Sequence, residues 1–87
     1  MIINKQWRIL TVGDGDLSFS NALWQSHQPA SLTATVYDSL ATLSAKYGDQ
    51  FYQKLKAENI PTLFDFDVCN KKSWAGLAKR SFDVVIF

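Results

Sequence analysis

The sequence predicts an α/β protein: a Rossmann-like parallel sheet laid down in the order βαβαβαβ. Three observations predict it. Four short runs rich in β-branched, aromatic and other apolar residues, "WRILTV", "LTATVY", "TLFDFDV" and "FDVVIF", are spread along the 87 residues. Stretches with apolar residues at helical spacing separate them. Runs such as "DVVIF" are near-continuously apolar, as strands covered on both faces are. Strands that alternate with helices imply parallel pairing through right-handed crossovers.

The elements follow in order. Trp7 to Val12 is the first strand and stops at Gly13. Asp16 to Gln25 carries Leu17, Phe19, Ala22 and Leu23 and predicts a short amphipathic helix with Asp14 or Asp16 near its start. His27 suits the negative end of that helix. "HQPAS" breaks the pattern, and Leu32 to Tyr37 is the second strand, ending at Asp38. Ser39 is placed to cap the next helix, where Leu40, Leu43, Tyr47, Phe51 and Leu55 recur at helical spacing up to Glu58. Gly48-Asp49 predicts a kink or break, and Asn59 with Pro61 ends the segment. The third strand lies in "TLFDFDV". Lys71 to Lys79 reads as a weak helix, and Phe82 to Phe87 as the fourth strand.

Bulk properties bound the function. The length corresponds to one domain at most, and a chain this short buries a small core. An apolar share of 47% against 20% charged residues argues for a folded chain. A net charge of +1 gives no global footprint for nucleic acid, though it leaves a local basic face open. The single Cys69 excludes a disulfide within the chain and a cysteine-built metal site; it reads as a small buried apolar residue. No run reaches membrane-spanning length, and "MIINKQWRIL" lacks the features of a signal peptide, so the expected location is intracellular. The sequence stops within "FDVVIF", so it reads as one part of a longer domain.

The chemistry gathers at the strand ends. In open α/β sheets ligands bind beyond the carboxyl ends of the strands. There the sequence places Gly13-Asp14-Gly15-Asp16, then Asp38, then Asp65-Phe66-Asp67. A carboxylate after the second strand, about 20 residues past the glycine loop, accepts ribose hydroxyls. A dinucleotide would bring pyrophosphate to the helix N-terminus. Asp14 and Asp16 oppose that: a like-charge contact at about 4 Å and an effective dielectric of about 20 costs on the order of 4 kcal/mol. Ser18 also stands where the dinucleotide fingerprint has its third glycine, and no P-loop lysine is present. S-adenosylmethionine has no phosphate and carries two cationic groups, so the loop favours it over NAD or FAD.

The segments "ILTVGDGDLSFSNAL", "LTATVYDS", "FDFDV" and "FDVVIF" resemble the ribosomal-RNA uridine-N3 methyltransferase-like domain family. In that family Gly-Asp-Gly-Asp-Phe-Ser-Phe-Ser follows the first strand; here Leu17 replaces the first phenylalanine, and Val36 replaces a serine of the second strand. The resemblance implies the N-terminal half of a class I methyltransferase fold that uses S-adenosylmethionine. It implies a cofactor loop at Gly13, Asp14, Gly15 and Asp16, a ribose-binding acid at Asp38 and an adenine-side acid at Asp67. Thr11 stands where the class often has an acid, which shifts contacts to the methionine end toward Asp14 or Asp16. The implied substrate is RNA, with N3 of an rRNA uridine as the methylated atom, and the implied compartment is cytoplasmic, or nucleolar in a eukaryote. Neither metal nor membrane is expected to take part. No residue among the 87 reads as a catalytic base, so the chain alone is expected to be inactive. The competing readings are a non-catalytic nucleotide- or RNA-associated module and, behind it, an NAD-dependent oxidoreductase.

Overall fold

In the computed structural model, residues 4–70, 72, 74 and 82–87 are described. Four strands form one parallel sheet: β1 (Arg8–Thr11), β2 (Ser31–Thr35), β3 (Thr62–Leu63) and β4 (Val84–Ile86). Helix α1 (Ser18–His27) joins β1 to β2, and α2 (Leu40–Tyr47) with α3 (Gln50–Ala57) joins β2 to β3. The strand order is β3-β2-β1-β4. The chain therefore adds strands to one side of β1 and then crosses to the other, which opens a crevice at the carboxyl ends of β1 and β4.

Both faces of the sheet are covered, as the apolar runs predict. Ile9, Leu32, Ala34 and Val36 pack with Leu17, Leu23, Leu43 and Leu55 from the helical segments. Leu10 and Val12 pack with Phe66 in a second cluster, edged by Trp74 and Phe82. Consecutive residues Ile9 and Leu10 enter different clusters because side chains alternate across a strand. Trp7 and Trp24 flank the first cluster and Trp74 the second, so all three tryptophans serve packing.

Several elements match their predicted positions for local reasons. Gly48, with φ +77°, separates α2 from α3. Ser39 caps α2, its Oγ accepting the Thr42 N–H at 3.1 Å. His27 lies in the last turn of α1. The connection between β3 and β4 is anchored where it returns: the Arg8 side chain meets Asp83, Nε to Oδ2 at 3.2 Å, and the Arg8 N–H donates to the same oxygen at 2.8 Å.

Others differ. The third strand is two residues long, because Asp65 takes a left-handed conformation with φ +56° and turns the chain out of the sheet. Cys69 consequently falls in the following turn and is exposed, not buried. Helix α1 starts two residues late, since Leu17 at φ +70° is its N-cap and not part of it. Its inward face is Ser20 and Leu23, whereas Phe19 and Ala22 are exposed. Leu40 and Tyr47 are exposed as well, and Leu43 is the buried residue of α2. Of the expected helix Lys71 to Lys79, Lys72 and Trp74 are helical and the remainder lies outside the described residues.

One polar contact joins sheet to helix inside this apolar frame. Thr11 Oγ1 and Ser20 Oγ are 2.7 Å apart and fully buried. Thr35 Oγ1 donates to the Thr11 carbonyl at 2.7 Å, so β2 joins the same network. A buried hydroxyl that loses its partner costs about 1–3 kcal/mol, whereas removing both partners is close to neutral. Thr11→Val and Ser20→Ala should each destabilise the fold by about that amount. In urea melts the double variant should lose clearly less than the sum of the two.

Candidate functional site

The site is built on the turn between β1 and α1. Gly13 adopts φ +76°, a conformation open to glycine and strained for other residues. The turn then delivers Asp14 under the first turn of α1. Asp14 Oδ2 accepts the Ser20 N–H at 2.6 Å, and Asp16 Oδ1 accepts the Ser18 N–H at 3.0 Å. These amides belong to the orphan donors of the helix start. Both aspartates therefore act as caps, although neither is the N-cap residue.

That arrangement has an electrostatic consequence. A helix N-terminus carries about half a positive charge and receives anionic ligands in dinucleotide folds. Here the protein's own carboxylates fill that position. The Ser18 hydroxyl, and after it the Ser18 N–H, hold the Asp16 carboxyl below the ordinary carboxylate range.

A cavity of about 330 Å³ opens beside the turn, lined by Gly13, Asp14, Gly15, Phe19, Ile86 and Phe87. It lies at the carboxyl ends of β1 and β4, where the strand order reverses. Three of the six sequence-predicted residues, Gly13, Asp14 and Gly15, thus share one cavity. Asp16 stands outside its lining and serves the helix. Thr11, at the position of the usual class I acid, is turned into the core against Ser20 and faces no ligand space. Of the two candidates for a cationic group, Asp14 is the one that lines the cavity.

Asp38 and Asp67 stand farther along the same sheet edge. Asp38 follows β2, and its carbonyl accepts the Asp65 N–H at 3.1 Å, which ties the segment after β3 to the segment after β2. Its side chain pairs with Lys46, Nζ to Oδ2 at 3.2 Å. Asp67 Oδ1 accepts the Cys69 N–H at 2.9 Å in the turn beyond Phe66. The glycine loop, Asp38 and Asp67 are thus ordered along the carboxyl edge in the order of β1, β2 and β3, as the sequence places them.

Five contributors are not singled out by the sequence: Phe19, Ile86, Phe87, Lys46 and Tyr47. Phe19 gives an ambiguous signal: it is apolar and stands four residues before buried Leu23, so helical period alone does not separate it from the inward face of Ser20 and Leu23. Lys46 and Tyr47 carry no such signal, since their place depends on where α2 ends. Among the described residues no group of three or more His, Cys, Asp or Glu is placed to hold a metal ion. No described helix is long and apolar enough to cross a membrane.

An all-parallel four-stranded α/β sheet with a glycine turn after β1 defines the chain as Rossmann-like in architecture. Comparison with known families is more specific. Residues 10–87 match the BMT5-like family, described as rRNA (uridine-N3-)-methyltransferase BTM5-like, and the chain belongs to that family. No curated protein and no solved structure gives a significant match.

The lowered pKa of Asp16 has a stability consequence with a definite sign. The contribution is present above the ordinary carboxylate pKa of about 3.9 and is lost as pH falls through the lower folded value. Asp16→Asn should flatten the acid limb of the stability curve below about pH 4 while leaving the neutral-to-basic limb in shape. Thermal melts of both proteins from pH 2 to pH 7 check this; an unchanged acid limb contradicts it.

Proposed function

We propose that the chain is the S-adenosylmethionine-binding part of an RNA base methyltransferase, with N3 of a ribosomal-RNA uridine as the methylated atom. The observation that carries the proposal is the family match over residues 10–87. The chemistry of the donor set supports the cofactor. The crevice is aromatic and apolar on the Phe19, Ile86 and Phe87 side and carries Asp14 on the other. A ligand that is uncharged at its ribose and carries a sulfonium and an α-ammonium group fits those walls. A pyrophosphate does not, because Asp14 and Asp16 already occupy the donors it would use.

In this reading Gly13 and Gly15 let the backbone turn close beside the cofactor, and Asp14 faces its cationic end. Asp38 accepts the ribose hydroxyls, and Asp67 stands on the adenine side. Bound S-adenosylmethionine supplies an electrophilic methyl group on a sulfonium. The protein's part is to hold a ring nitrogen in line with that methyl and to keep the geometry fixed, since positioning alone supplies a large share of the rate. The uridine N3–H proton must leave as the new N–C bond forms, and no described side chain is assigned to take it. An RNA partner agrees with the family description.

Titration calorimetry provides the test. S-adenosylmethionine and S-adenosylhomocysteine should both bind, and NAD should give no heat at the same concentrations. Asp38→Ala should weaken S-adenosylhomocysteine binding by roughly tenfold or more, the equivalent of hydrogen bonds to a charged group, with the melting temperature little changed. Absence of binding to either sulfur ligand would overturn the proposal.

A further inference from the structure

We infer that Lys46 is a positioning residue that holds the Asp38 carboxylate for the ribose of a nucleoside ligand. The inference rests on the reading of Asp38 given above and extends it to a residue outside the family motif segments. Lys46 Nζ lies 3.2 Å from Asp38 Oδ2, on a side chain that is only 20% exposed. Helix capping does not account for Asp38. Ser39 performs it, through the Thr42 N–H at 3.1 Å and the Thr42 hydroxyl at 2.9 Å. Among the described residues nothing hydrogen-bonds Asp38 Oδ1.

The donor and acceptor inventory explains the arrangement. An ionised carboxylate offers about four acceptor sites on two oxygens, and an ammonium group donates only. Lysine on Oδ2 therefore uses part of the capacity and fixes the rotamer, while Oδ1 remains open to ribose hydroxyls. Lys46 cannot replace Asp38 as an acceptor, so it supports a ribose and does not imitate one. The next residue brings this turn of α2 to the glycine loop. Tyr47, half exposed, brings its Oη to 3.9 Å from where a Cβ on Gly15 would lie. Consecutive side chains of one helical turn thus reach Asp38 and the glycine loop.

Adenosine and 2′,3′-dideoxyadenosine, titrated into the wild type, Lys46→Met and Lys46→Arg, separate the possibilities. The wild type should prefer adenosine. Lys46→Met should lose roughly two- to fivefold in adenosine affinity, the scale of a largely exposed ion pair, with dideoxyadenosine affinity unchanged. Lys46→Arg should retain the preference. A Lys46→Met protein with the full wild-type preference, or one that loses both ligands equally, overturns the inference and leaves the Asp38 reading intact. A wild type that binds adenosine no better than the dideoxy form overturns both.

Discussion

The hydrogen bond between Thr11 and Ser20 is the constraint on which the site depends. It is the point where the end of β1 and the first turn of α1 are held together by a polar contact inside an apolar core. Thr35 adds β2 to the same junction through the Thr11 carbonyl. Buried hydroxyls tolerate little displacement, since a lost partner leaves a desolvated donor or acceptor. The junction therefore sets the height of α1 on the sheet. That height brings the Ser20 N–H over Asp14, and the cavity takes its shape from the same turn.

Charge follows from this geometry. A glycine turn before a helix is ordinarily a receptor for an external anion. In this protein the anions are internal, and two carboxylates satisfy helix donors that a phosphate would otherwise find. Asp14 caps the helix and lines the cavity at once, so helix stability and ligand preference act through one side chain. The Asp38–Lys46 pair repeats the pattern at the second strand end, where a charged group is held by the protein while part of it stays open.

Much of this was legible in the sequence. The strand and helix order, the break at Gly48, the Ser39 cap and the place of His27 all follow from local chemistry. The glycine turn and the succession of acids along the strand ends were legible for the same reason. The third strand was not. "TLFDFDV" has strand composition throughout, yet Asp65 accepts a left-handed conformation that composition does not forbid to an aspartate. Cys69 then follows the turn into solvent. Phe19 is apolar and at helical spacing from Leu23, yet α1 turns Ser20 and Leu23 into the core and leaves Phe19 at the cavity, a choice made by packing against the sheet.

The sequence by itself determined the parallel architecture, the motif that places the chain in its family, and the sign of the charge at the first turn. Those properties rest on periodicity, on glycine and on formal charge, all of which are local. Only the tertiary structure decided how the two aspartates of the turn divide their roles. It also decided that Thr11 faces Ser20 and not a ligand, and that the end of α2 reaches back to Asp38 and Gly15. These depend on the height and rotation of helices on the sheet, which are set by packing between residues far apart in the chain.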